Sequence, residues 1–266
     1  MRTMRLFSVT VMVTTLMLAA SASADLKKTA YPIVKVEISE AYKPDAAFDK
    51  MRKAFSEAIR AKDANALFAL VAPGFVWNGD GALANDYDAG RDPLHNFKVL
   101  FGFREFGKNA DGKVEDGPFW DSLSAFANED TYYQAEQAAS LVCSPISASV
   151  ADDDVFEKAR AKIETDDDTT DWYFTLRDTP VATKPGDKGP PILTLKQQAV
   201  PVLSSFPVAR EGQPEPTATH YEVLLPSGKV GWIPAAAARP LETSRFCYAL
   251  TSGGEWKFGL YDGVGE

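Results

Sequence analysis

The sequence predicts an α+β region in the first half of the chain, then an all-β region and a closing β-hairpin. Three observations carry this. Phe48, Met51, Phe55, Ala58 and Ile59 recur at helical spacing, with Lys50, Arg52, Lys53 and Glu57 on other faces. Beyond Asp171 short apolar runs alternate with turns rich in Pro and Gly. Near the end, residues 245–250 and 256–261 carry alternating large side chains around Thr251-Ser252-Gly253-Gly254, a hairpin pattern.

The chain begins as an export signal does. Arg2 and Arg5 precede an apolar run over residues 6–18, and Ala22-Ser23-Ala24 offers a small-x-small cleavage site before Asp25. Residues 1–24 are therefore read as a signal peptide; the competing reading is an uncleaved anchor. No later segment is apolar enough to span a membrane. Apolar residues make up 45 % of the chain, enough for a real core. The formal net charge of −9 argues against nucleic acid and against an anionic membrane, both of which need clustered Lys and Arg. The acidity is local, in Asp152-Asp153-Asp154 and residues 166–171, which read as solvated loops. Periplasm or the extracellular space is the expected location.

Residues 25–165 are expected to form the α+β domain. An extended stretch over residues 30–42 leads into the first helix, which Lys62-Asp63 interrupts. Asp63 or Asn65 caps a second helix carrying Leu67, Leu70 and Val71, and Pro73-Gly74 ends it. Phe75-Val76-Trp77 is a strand candidate. Residues 78–116 read mostly as loops, with residues 96–103 as a strand or short helix. Phe119, Trp120, Leu123 and Phe126 mark a helix face, with Trp120 read as core. Asp154-Val155-Phe156-Glu157 reads as an N-cap with Glu at N3, opening a helix that runs to about Ile163. Residues 164–171 are read as a linker. The helix–helix–strand opening is similar to that of NTF2-like cone folds.

In the second region, residues 172–177, 192–195 and 199–203 are strand candidates, and residues 184–191 are a loop by composition. Residues 206–219 form an insertion punctuated by Pro and Gly. Residues 221–225 and 230–233 flank the turn Pro226-Ser227-Gly228-Lys229, a second hairpin signal. The run Gly228-Lys229-Val230-Gly231-Trp232-Ile233 resembles the distal hairpin of bacterial SH3 (SH3b) domains. Leu176-Arg177 with Pro180 resembles their entry strand, and residues 235–238 their closing 3₁₀ turn. The resemblance covers nearly seventy residues. It implies an SH3-like small barrel over residues 171–242, with residues 243–266 as a hairpin packing on the rest. A similar layout occurs in SH3b-containing exported proteins. The departures are the long insertion and a first strand of Phe174-Thr175-Leu176 where the family has a Val-rich run.

The chemistry-bearing residues are few. Cys143 and Cys247 are an even pair in an exported chain, which favours a disulfide; two separate buried thiols are the alternative. No nucleophile elbow, phosphate loop or zinc spacing occurs, so no catalytic residue, cofactor or metal is expected. Asn109-Ala110-Asp111-Gly112 matches the middle of a calcium loop, but Gly107 and Pro118 stand where its end ligands belong. Asp166-Asp167-Asp168 lacks the Gly bend and trailing Glu. His95, near Asp88 and Asp92, is read as structural, and His220 as a surface residue at a strand start. By the SH3b resemblance, the ligand-binding candidates are Tyr173, Phe206, Tyr221 and Trp232, with a peptide, peptidoglycan or an envelope protein as partner. Gly231 is expected to leave room beside Trp232 for a ligand backbone. The rival function is a small-molecule carrier or enzyme using a pocket in the first region, lined by Trp77, Tyr87, His95 and acidic residues. A third is a structural subunit whose acidic surface meets a basic partner.

Overall fold

The computed structural model describes residues 28–79, 90–103, 119–136, 139–163, 171–207 and 217–263. Residues 1–24, read above as a signal peptide, Tyr87, the calcium-loop-like stretch and Asp166-Asp167-Asp168 lie outside them.

A strand, β1 (Val34–Ile38), comes first. Helix α1 (Ala46–Ala61) follows, opened by Asp45, whose carboxylate accepts the Phe48 N–H at 2.7 Å. It ends at Lys62 with φ 50°, a left-handed cap that turns the chain out of the helix. Phe48, Met51, Phe55 and Ala58 are its buried stripe, as the periodicity predicts. Asp63 then caps α2 (Ala64–Phe68) by accepting from the N–H groups of Asn65 and Ala66. Pro73-Gly74 does not end a helix: α2 stops at Phe68, and β2 (Val71–Gly79) runs straight through that pair. Between Val71 and Val76 the register with its neighbour shifts, so the bulge absorbs the proline that cannot donate to a ladder.

Helix α3 (Pro93–Leu100) is capped by Asp92, with proline in the first turn where its missing N–H costs nothing. Helix α4 (Phe119–Asn128) leads to β3 (Tyr132–Glu136), β4 (Ala139–Ser144) and β5 (Ala148–Val150). Helix α5 (Asp153–Ile163) begins before the predicted cap. Asp152, rather than Asp154, accepts the Val155 N–H, which places Asp154 inside the first turn. The remaining strands are β6 (Trp172–Thr175), β7 (Thr179–Val181), β8 (Leu193–Leu195), β9 (Gln198–Phe206), β10 (His220–Leu224) and β11 (Val230–Pro234). After a 3₁₀ turn at Ala235–Ala237 come β12 (Ala238–Pro240), β13 (Arg245–Leu250) and β14 (Trp256–Gly263).

The architecture is mixed: among the described residues there are five α-helices with largely antiparallel sheets. The first sheet has the order β2-β14-β13-β4-β3, with β2 and β14 parallel. The C-terminal hairpin is therefore the centre of this sheet, and residues between Ser144 and Arg245 leave and return beside one another. Cys143 and Cys247 face each other in that register and are joined by a disulfide, their Cα atoms 4.0 Å apart. One face of the sheet packs rings against α1, α3 and α4; the other carries Leu141, Cys143, Cys247 and Leu260 toward Ile38 and Leu176.

The second sheet links β11-β10-β9-β1-β5, with β6 pairing both β9 and β12. Within residues 25–165, β1 and β5 thus pair here, and Phe156, Ala159 and Ile163 of α5 bury themselves against Trp172 and Phe174. The hairpin β7-β8 is joined to β11 by one bridge, Ala182 to Trp232. Among the described residues these strands close no barrel. No helix of the described residues is long and apolar enough to cross a membrane.

Candidate ligand-binding face

The hairpin β10-β11 sets the face. Its turn holds Gly228 at φ +78°, and a side chain there would strike the backbone of Thr29 and Ala30 at about 3 Å. The leading segment is tied to the same turn: Tyr31 N–H donates to Pro226 O, and the Tyr31 hydroxyl donates to Leu224 O at 2.6 Å.

Register then decides which side chains share a side. Ser204, Glu222 and Trp232 stand opposite one another across β9, β10 and β11; so do Ser205, Tyr221 and Ile233. Neighbours along a strand point to opposite faces. Ile233 is fully buried, so Tyr221 lies on the core side and Trp232 on the outer side. Phe206, two residues beyond Ser204, joins Trp232 outside, as does His220, its partner in β10.

The four sequence candidates therefore form two pairs on opposite faces. Phe206 and Trp232 meet edge to face, centroids 6.3 Å apart at 88°. Phe206 is 45 % exposed, one of few large apolar side chains so placed among the described residues. Tyr173 and Tyr221 meet at 4.9 Å on the inner side, packed at the margin of the aliphatic core. Burial raises the Tyr221 pKa, and the charge of Glu129 adds to this; Arg239 and a hydrogen bond from Tyr173 oppose it. Arg239 reaches Glu129 through Nε at 3.1 Å and a terminal nitrogen at 2.9 Å. Tyr173 and Tyr221 thus border the junction with α4, whereas the outer pair faces solvent.

Gly231 does not make room for a ligand. A Cβ there would lie 2.3 Å from a methyl group of Val181, so the missing side chain is what lets β7 pack on β11. Trp232 is pinned by its backbone, which exchanges hydrogen bonds with Ala182 at 2.8 and 2.9 Å. The ring of Trp232 is half-buried.

Polar groups surround the outer rings. Glu222 accepts from the Ser204 hydroxyl at 3.0 Å. His220 shares a hydrogen bond with Thr219 and accepts from the Gly186 N–H, which holds the loop after β7 against β10. In that loop the Thr183 hydroxyl and the Gly189 N–H lower the Asp187 pKa. Sequence reasoning missed Glu222, although counting back from the Pro226-Ser227-Gly228-Lys229 turn pairs it with Trp232.

Among the described residues singled out in the first region, Trp77 and His95, no such face is formed. Trp77 is 2 % exposed inside the ring core, and His95 sits partly buried on α3 behind the Asp92 cap. Trp120 packs edge to face on Phe103 at 5.2 Å. A separate cleft of about 520 Å³ lies beside Tyr42, Asp49, Arg52, Glu129 and Asp130. Arg52 spans its floor, donating to the carbonyls of Phe126 and Glu129 and to the Tyr248 hydroxyl. Among the described residues no group of three or more His, Cys, Asp or Glu is placed to hold a metal. Comparison with protein-family models, with curated proteins and with solved structures finds no match to this chain.

Proposed function

We propose that this chain is an exported, non-catalytic binding or scaffold protein of the cell envelope. In this reading its strand-rich half is an SH3-like barrel, which lays an extended peptide or peptidoglycan-like strand across Phe206 and Trp232. Support for the barrel comes from the pairing sequence β12-β6-β9-β10-β11, the Ala182–Trp232 bridge to β7, and the 3₁₀ turn before β12. The observation that carries the binding role is the outer ring pair. Most other large aromatics of the described residues are packed inside, and a half-exposed Phe against a Trp is the surface that extended ligands use.

The test is cosedimentation of the mature chain with purified peptidoglycan, and separately with envelope extract. Trp232→Ala is expected to weaken binding by about 1 kcal/mol or more while circular dichroism stays unchanged. Equal binding by a folded variant would make the barrel a spacer. Export is tested by mass spectrometry of protein from its native cells: the expected N-terminus is Asp25, and an intact Met1 on membrane-bound material would overturn it.

A second reading, a small-molecule carrier or enzyme with an NTF2-like cavity, is favoured by the cleft beside Arg52. Against it stands the ring packing around Trp77, Phe97 and Phe258, which fills the described interior behind the first sheet.

A further inference from the structure

Beside the outer ring pair stands an acid with no ion-pair partner among the described residues. Glu222 stands directly opposite Trp232 in the hairpin register and is half-buried on the same face as Phe206. Its partner is the neutral hydroxyl of Ser204, and no Lys or Arg of the described residues pairs with it. A half-buried carboxylate left with one neutral donor is under-compensated. The two rings meet edge to face at 88°, and Glu222 is the strand neighbour of Trp232 on the same side. Aromatic faces attract cations, most strongly where water is displaced. The loop that His220 holds carries Lys184 and Lys188 beside Asp187, and Lys184 acts on Asp187; among the described residues neither lysine is paired with Glu222.

Resting on the binding role of this same face, we propose that the ligand is a peptide engaged through a free primary amine. A lysine-type side chain or an amino terminus lays its ammonium on the solvent side of the Phe206–Trp232 pair, against the Glu222 carboxylate. The amine gains a charge-assisted hydrogen bond and an aromatic contact, and the net charge of −9 draws it in. The C–H face of a sugar ring would stack on the aromatics equally well but leaves the charge of Glu222 unanswered.

The experiment compares the mature chain on three probes: purified peptidoglycan, the same material with its amines acetylated, and glycan strands stripped of peptide. Wild type is expected to lose about tenfold in affinity on acetylation and to fail on bare glycan. Glu222→Gln, which keeps the acceptor for Ser204, is expected to lose about as much on native material and to be insensitive to acetylation. Trp232→Phe, which keeps an aromatic wall, guards against a folding artefact and is expected to retain the preference for free amines. If wild type binds native and acetylated material equally while Trp232→Ala loses both, the face binds but the amine assignment is overturned. Equal binding to bare glycan overturns the peptide assignment. If Trp232→Ala and Glu222→Gln leave binding unchanged, the binding face itself falls and this inference with it.

Discussion

The two sheets bury different chemistry. Behind the first sheet, Phe48, Phe55, Phe97, Phe246 and Phe258 interlock with Tyr248 and Trp256, many at ring distances of about 5 Å. The interior beside β11 is aliphatic: Val181, Leu195, Val200, Val223, Leu225 and Ile233. Rings fill the wide space between helices and a sheet. The narrow space under a tightly curled hairpin admits branched aliphatics instead, and Gly231 shows how little room remains. The consequence is functional. Among the described residues, most aromatics around the first sheet are taken up in packing, whereas Phe206 and Trp232 lie on the outer side of the second.

The largest expected effect tests what holds the ring-packed half together. Its sheet is built from segments on both sides of the strand-rich half, so β13 finds β4 only after about a hundred intervening residues. The disulfide spans a sequence separation of 104 and closes that loop in the unfolded chain as well. Removing it by Cys143→Ser with Cys247→Ser is expected to cost about 3–4 kcal/mol. Urea unfolding of the double variant checks this. An unchanged midpoint would show that the ring core alone fixes the pairing.

Next comes the aliphatic half. Gly231→Ala places a methyl group against Val181 and is expected to destabilise by about 2 kcal/mol, the scale of an overpacked core. Val181→Ala in the same chain is expected to recover part of the loss, which a double-mutant cycle measures. The absence of coupling would mean that the strands separate freely at this point.

The legibility of the sequence followed the same divide. Signals held within a few residues were readable: the α1 stripe, the Asp63 cap, both hairpins and the 3₁₀ turn. Pro73-Gly74 misled because the two residues that stop a helix also mark a bulge. Strand β7 was not among the strand candidates, because Pro180 entered only through the likeness to an entry strand; its flanking Thr179 and Val181 are buried and paired. The ring pair itself was among the candidates, but its separation from Tyr173 and Tyr221 depends on register across β9, and β9 reaches β10 only after an insertion. The contact between Glu129 and Arg239, 110 residues apart, left no trace in local pattern. Nor did sequence tell which half the C-terminal hairpin completes.

A pH experiment separates the halves from another side. Tyr248, fully buried among the rings, has its pKa pushed up to about 12 by loss of solvent, against the pull of Arg52. The folded state then keeps a proton that the unfolded chain releases near pH 10. Its contribution is complete below about pH 10 and is lost as pH rises toward 12, amounting to about 1 kcal/mol at pH 11. Tyr31 in the other half is raised in the same direction by burial. Urea titrations between pH 8 and 11 should show stability falling in wild type and a shallower fall in Tyr248→Phe. Parallel slopes for the two proteins would remove Tyr248 as the source.

The smallest effect lies where the halves touch. Arg239 and Glu129 are partly exposed, at 20 % and 33 % of their side-chain surface, so solvent screens much of their attraction. Their coupling is expected to be about 0.5 kcal/mol, read from Arg239→Ala and Glu129→Gln singly and together in low salt, and smaller in high salt. A second readout does not depend on stability. Arg239 holds the Tyr221 phenol below where burial alone would set it, so Arg239→Ala should move the phenolate absorbance titration to higher pH. Glu129 acts in the opposite sense, and Glu129→Gln should move it lower. If neither substitution shifts the titration while both change stability, Arg239 braces the junction by packing alone. If the titration shifts as stated, the charge pair that joins the halves also sets the ionisation of the inner tyrosine, and the outer ring pair stands as the face of the strand-rich half left to solvent.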